Sequence, residues 1–474
     1  MQNLKQPWVL ALILVLLSLA GYLYYEKQAE ARPPAPAPEF SQRQRVHLDH
    51  AAFFTTKFAN PQDVTRACLE CHAQAATDFM KTAHWQWLGP EETIPGRTEP
   101  IRIGKKNLLN NFCISIIGNW ASCTKCHAGY GWDQAAYDFT RPENVDCLVC
   151  HDWSNSYVKG PSGLPEKGVD LLVAAQSVGY PKRENCGACH HYGGGGLAVK
   201  HGDLDNSLDN PAPEVDVHMG KLGFLCIDCH RTEKHQIPGR AFSVRIGPDH
   251  GMSCTDCHRQ PPHQDERLNK HLARVACATC HIPAFARHVP TKMVWDWSKA
   301  GDAARPEDLH HYLKIKGEFA YADNVTPEYH WFNLSMDRYL LGDRTNPTGV
   351  TDINRPHGGK GDPTAQIWPF KVHLAKQPYD RINGYLLPAV TSGAGGFWHE
   401  FNWDKSVALG APLAGLTYSG SYGFAETRMY WPLSHGVAPK AAALACNECH
   451  SAKPRFNWQA LGYDADPMGR GGRP

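Results

Sequence analysis

Cys123-Thr124-Lys125-Cys126-His127 and, shortly after it, Cys147-Leu148-Val149-Cys150-His151 carry the spacing that decides this fold. The same C-x-x-C-H pattern recurs at Cys68/Cys71/His72, Cys186/Cys189/His190, Cys226/Cys229/His230, Cys254/Cys257/His258, Cys277/Cys280/His281 and Cys446/Cys449/His450. Sixteen of the seventeen cysteines thus fall into eight copies of one motif. Two thiols three residues apart lie on one face of a short helical turn, placed to form thioethers with the two vinyl groups of a haem. The histidine that follows is then carried beneath the iron as an axial ligand. Disulfides between residues so close would be strained and would need no histidine. Zinc sites pair C-x-x-C units but give no reason for a histidine after every one. With 26 histidines in 474 residues, finding one after all eight pairs by chance is on the order of 10⁻¹⁰ for this motif. The chain reads as the carrier of eight covalently attached haem c groups.

Composition agrees with a protein built around cofactors. Hydrophobic residues make up 42% of the chain, enough for a buried core. Lysine and arginine number 48 against 47 acidic residues, a balance that excludes a general nucleic-acid binder. Glycine (42) and proline (35) are abundant, which points to loops joining short elements. The haems supply much of the apolar interior, so the polypeptide should not fold stably without them. The expected fold class is mainly α with many loops and few strands, a multihaem cytochrome c fold wrapped around its eight haems.

Five regions follow along the chain. Residues 1–31 hold an apolar run from Trp8 to Tyr25, long enough to span a bilayer, with Ala29-Glu30-Ala31 as an alternative cleavage site. It is either a membrane anchor or a signal peptide, and both send the rest of the chain across the cytoplasmic membrane. Residues 32–45 contain Arg32-Pro33-Pro34-Ala35-Pro36-Ala37-Pro38, a stiff polyproline spacer. Residues 46–290 are a seven-haem domain whose motifs crowd together closely enough to force contact between haems. Residues 291–440 are a haem-free, aromatic-rich covering segment with Trp295, Trp297, Trp331, Trp368, Trp398 and Trp431. Residues 441–474 hold the eighth motif and the C-terminal tail.

Eight irons have sixteen axial positions, and the motif histidines occupy half of them. Eighteen histidines remain for the rest, so composition permits a purely bis-histidine conductor with no open iron. Proximity to the motifs favours His84, His201, His218, His235, His263, His271 and His435 as distal ligands. His191, which directly follows a motif histidine, and His310, His311 and His330 in the haem-free stretch are less favoured. Seven candidates for eight vacancies leave one iron different.

Two further residues stand out. Cys113 belongs to no motif and lies ten residues before Cys123; it is either a small buried apolar residue or a thiol able to exchange with a sulfur substrate. Lys200, after the tetraglycine Gly193 to Gly196, is either solvated or a neutral amine ligand to iron. In an extended segment Lys200 and His201 would point opposite ways, toward two different haems.

The segments Asn111-Phe112-Cys113, Cys123 to Trp132, Val145 to Asp152 and Val199-Lys200-His201-Gly202-Asp203-Leu204-Asp205 resemble the octahaem tetrathionate reductase family, from about His47 to the end of the chain. The resemblance implies a periplasmic respiratory reductase whose second haem is the active site, bearing Lys200 as an unusual ligand with Cys113 nearby; Lys159 is the rival lysine. It implies reduction of tetrathionate to thiosulfate, or of nitrite and hydroxylamine to ammonia, with a quinol dehydrogenase or another cytochrome as electron partner. A homo-oligomer is open on this reading. Members of that family are soluble, so an anchor would depart from the pattern. Two alternatives stand beside it, a non-catalytic electron-transfer cytochrome and a hydroxylamine oxidoreductase-like enzyme. A haem assay of the purified chain should return eight haems per polypeptide. A count of seven or fewer would show that one C-x-x-C-H motif does not attach a haem.

Overall fold

The computed structural model describes residues 47–93, 97–109, 115–239 and 251–470. The apolar run of residues 8–25, the polyproline spacer and Cys113 lie outside the described residues. Among those described, no helix is long and apolar enough to cross a membrane. Residues from Val46 onward form one compact unit, so the segments read along the chain as 46–290, 291–440 and 441–474 fold together.

Around the haem motifs the chain is made of short helical turns. Pro61–Cys71 is the longest there; Asn60 caps it by accepting the Asp63 N–H, and a proline opens the first turn. Val64 of this helix packs with Leu148, Ala174 and Ala175, the last two from helix Leu171–Gln176. Most other helices before residue 290 span four to eight residues. They are too short to be stable alone, so what they pack against must hold them.

Strands lie in two places. β1 (Leu88–Glu92) and β2 (Ile101–Gly104) form a small antiparallel ribbon. The rest come from the haem-free stretch: β3 (Thr291–Asp296), β4 (Tyr312–Leu313), β5 (Gly317–Ala322), β6 (Glu328–Phe332), β7 (Met336–Arg338), β8 (Thr351–Asp352), β9 (Asn354–Pro356), β10 (Gln366–Asp380) and β11 (Tyr422–Pro432). β7 pairs with β9, and the others form a seven-stranded mixed sheet in the order β4-β5-β3-β10-β11-β8, with β6 also on β10. β10 and β11 are antiparallel from Phe370↔Pro432 to Asp380↔Tyr422. On its other edge β10 pairs first with β6, over Gln366 to Pro369, and then in parallel with β3, over Leu374 to Lys376. This change of partner explains how a central strand holds Pro369 and Pro378. The first sits where the β6 ladder ends and the second lies past the β3 ladder, so neither position needs to donate across that edge.

Pro369 to His373 are all buried, which means that both faces of β10 are covered there. On one side helix Trp403–Leu413 lays Trp403, Val407 and Ala411, spaced four apart, into a core with Trp295, Trp297, Phe397 and Trp431. Trp368 and Trp398 are half-buried, and their indole N–H groups donate to the Leu433 and Ile315 carbonyls at 3.0 and 2.9 Å. The aromatic residues of the covering segment are thus a sheet core, which only the assembled strands reveal.

The sheet also grips the chain beside the tetraglycine. Lys371, fully buried at the centre of β10, donates from Nζ to Thr291 Oγ1 at 2.5 Å and to the carbonyls of Val199 and Lys200 at 3.0 and 3.3 Å. Thr291 Oγ1 donates in turn to the Ala198 carbonyl at 2.6 Å. Ala198 has a left-handed φ of 53°, and a Cβ on Gly202 would come within 2.4 Å of the Phe285 ring. The segment 198–202 is therefore held by the sheet in one conformation. Replacing Lys371 by methionine leaves two buried carbonyls without their donor and should cost about 1–3 kcal/mol. The drop is read as an earlier denaturation midpoint of the haem-loaded chain; an unshifted midpoint would mean that the carbonyls find other donors.

Candidate functional site

The motif residues come first as local backbone. In five copies the histidine N–H closes an α-turn onto the first cysteine's carbonyl: His72 to Cys68, His151 to Cys147, His230 to Cys226, His258 to Cys254 and His450 to Cys446, all at 2.8–3.1 Å. The helices Arg183–His190 and Cys277–His281 carry two more copies. In the second motif, by contrast, the His127 N–H bonds the Thr124 carbonyl at 2.8 Å, a tighter 3₁₀ turn.

Seven motif histidines face a second imidazole. Ring centroids are 6.3 Å apart for His50 and His72, 6.4 Å for His151 and His235, and 6.0 Å for His84 and His190. They are 6.3 Å apart for His230 and His435, 6.0 Å for His218 and His258, 6.1 Å for His263 and His281, and 6.2 Å for His271 and His450. An iron bonded to two ring nitrogens at about 2 Å each, with each ring centre about 1 Å further back, separates the centroids by about 6 Å. The spacing fits a haem between each pair. Six of the histidines singled out from sequence, His84, His218, His235, His263, His271 and His435, stand in these pairs. His201 does not: its ring lies against Trp431 at 4.6 Å, with no motif imidazole opposite. His50, which sequence proximity passed over, faces His72. The signal available for it was position alone, since His50 begins the segment that leads into the first motif. His191 instead sits 3.4 Å from the Asp209 carboxylate.

The cysteines show how the sites connect. The sulfurs of Cys68 and Cys147 lie against one another, as do Cys126 and Cys189, Cys186 and Cys226, and Cys254 and Cys277. Cys150 lies near Cys186 and Cys189, Cys229 near Cys257, and Cys280 near Cys446 and Cys449. In motif numbers the sites run 1, 3, 4, 5, 6, 7, 8, with motif 2 branching from motif 4.

The second motif is built differently. His127 is buried, and its Nε2 lies 2.9 Å from the Trp85 carbonyl. Trp85, Trp132, Tyr137 and Phe139 enclose the ring, with centroids 4.9–5.9 Å away. Burial keeps the imidazole neutral, pushing it down to about 3. Among the described residues no imidazole stands opposite it. Beside it lies Lys159, itself buried, whose Nζ donates to the His127 carbonyl at 2.6 Å and lies 2.8 Å from Asp146 Oδ2. Asp146 is in turn fixed by the hydroxyls of Tyr130 and Tyr157, each at 3.0 Å. Lys159 is thus committed to backbone and carboxylate.

Lys200 is placed otherwise. Its Nζ lies 5.1 Å from the Trp431 ring and has no hydrogen-bond acceptor among the described residues. Burial, with help from Lys105 and Arg338, pushes its ammonium down to about 8. Lys105, Lys200 and Lys159 all act on the Cys126 sulfur, so the surroundings of the second motif are positive.

Comparison with known proteins agrees with this construction. Residues 292–453 match the family described as Cytochrome c bacterial. An uncharacterized protein of Archaeoglobus fulgidus is 26% identical over 240 residues, 40% of this chain and 80% of that protein. The crystal structure of octaheme cytochrome c from Shewanella oneidensis is 45% identical and superposes with a TM-score of 0.84, covering 90% of this chain and 99% of that one. With eight attachment motifs, seven of them facing a second imidazole, and that likeness along nearly the whole chain, the protein belongs to the octahaem c-type cytochromes and carries eight covalently bound haem c groups.

Proposed function

We propose that this protein is an extracytoplasmic reductase of small inorganic oxyanions, acting at the haem of the second motif. The observation that carries the reading is that His127 alone among the motif histidines has no imidazole facing it among the described residues. Six-coordinate irons with two histidines conduct electrons but offer no position to a substrate, whereas an iron held at the second site by a single protein donor would keep one position open. The haems, when bound, supply the electrons and the Lewis-acidic iron.

The chain's own residues prepare that site. Lys200, half-buried and without an acceptor among the described residues, would be that donor once it has lost its proton, and the grip of Lys371 on its backbone holds it in place. Lys159 is the weaker candidate because its ammonium is taken by the His127 carbonyl and Asp146. Lys105 and Arg338 add positive charge that draws an anion toward the site and can share protons with it. These features suit tetrathionate, cleaved at its central S–S bond by two electrons to two thiosulfates, and equally nitrite or hydroxylamine, reduced to ammonia. Cys113 would assist the sulfur reaction by thiol exchange. Electrons would come from a quinol dehydrogenase or another cytochrome. The residue 8–25 segment would serve as anchor or export signal at the cytoplasmic membrane.

Electron paramagnetic resonance of the oxidised protein should show one high-spin or lysine-ligated ferric signal beside the bis-histidine ones, and tetrathionate, nitrite or hydroxylamine should perturb that signal alone. If none of the three perturbs any haem, the protein is a conductor. Lys200→Ala should alter this single signal and lower kcat roughly a hundredfold, as loss of one preorganised group at a reaction centre does. An unaltered signal would transfer the ligand role to Lys159.

A further inference from the structure

The two ends of the run of sites differ in what backs their axial imidazoles. An imidazole bound to iron through Nε2 keeps its proton on Nδ1, and the acceptor of that proton tunes the ring as a donor. In the first, third and fifth sites the acceptor is a neutral carbonyl: Leu48 for His50 at 2.7 Å, Gly179 for His151 at 2.8 Å and Pro238 for His230 at 2.7 Å. In the eighth site it is a carboxylate. His450 Nδ1 donates to Asp466 Oδ1 at 2.7 Å, and the Met468 N–H donates to the same oxygen at 2.9 Å and fixes it. The facing His271 Nδ1 donates to the Arg267 carbonyl at 2.8 Å. Asp203 also meets an axial imidazole, that of His435, but at 3.2 Å, and it shares the same oxygen with the backbone N–H groups of Ser434 and His435. With Asp216 3.8 Å from His218, the shortest carboxylate contact to a paired imidazole among the described residues is therefore at the eighth site.

We infer that Asp466 holds the haem of the eighth motif at a low reduction potential and so makes that end of the run the one that receives electrons. A carboxylate that draws on the Nδ1 proton leaves the ring richer in electrons, which stabilises ferric over ferrous iron. The eighth site lies beside the seventh, the Leu444 N–H before the eighth motif donating to the Cys280 carbonyl at 3.0 Å, and it ends the run of sites traced above. It is also near the surface: Cys446 is exposed, and the side chains of His450 and Asp466 are 15% and 25% exposed. A donor can reach it, and electrons pass from a low-potential end toward the interior. The direction of flow rests on the reductase reading above; the tuning by Asp466 does not.

The test is a redox titration of the full haem-loaded chain followed by electron paramagnetic resonance. The eighth haem is recognised as the one whose signal changes in His271→Met. Asp466→Asn should raise the midpoint of that haem and leave the other seven in place, with Asp466→Glu keeping it low. In the unaltered protein the eighth haem should titrate below the first. If Asp466→Asn shifts no midpoint, the tuning is wrong. If the first haem titrates below the eighth, the receiving end is misassigned. Failure of the reductase reading shows separately, as the absence of any substrate effect on the spectra.

Discussion

Two imidazoles held about 6 Å apart, opposite one another across a space one iron wide, are the constraint on which the rest of this structure depends. Each motif supplies one ring by local geometry, because a single helical turn fixes two cysteines and a histidine together. The second ring has to be delivered from elsewhere. His84 and His235 come from the far side of other motifs, and His435 arrives only after the whole sheet has been crossed. The body of the chain is thus a set of short turns tied together through seven such pairs. Coordination bonds across each pair would do much of the work that side-chain packing does in an ordinary core.

The exception shows how small a change frees a site. In the second motif the histidine N–H bonds three residues back instead of four, and Lys159 takes the His127 carbonyl. The ring turns to the Trp85 carbonyl and is walled in by aromatic side chains. Nothing in the cysteine spacing has altered. What differs is the tighter turn and the backbone carbonyl that the ring meets.

The haem-free sheet then has a purpose beyond covering. A mixed sheet with both faces of its long central strand buried is stiff enough to carry a lysine in its interior. Lys371 uses that stiffness to hold the carbonyls on either side of the Val199–Lys200 peptide. A flexible loop bearing Lys200 would lose conformational entropy each time it bound a metal or an anion. Anchoring the loop to a buried strand lowers that cost in advance.

The eight attachment motifs, their cofactor and the prevalence of short helices were legible in the sequence, because each depends on residues within one turn of one another. Counting histidines left open whether any iron is unlike the rest, since eighteen spare histidines could have filled all eight distal positions. The sequence did not disclose the identity of every partner. His50 was passed over for His201 because proximity along the chain was the only guide, whereas facing rings are brought together by contacts that span the whole molecule. The sheet was hidden for the same reason: β10 pairs with three strands from distant parts of the chain, and its aromatic residues read equally well as a loose cover until those strands are in register. Local covalent chemistry is written in adjacent residues. Which rings meet, and which lysine the backbone and carboxylates take up, depends on long-range packing, and only the folded chain decides it.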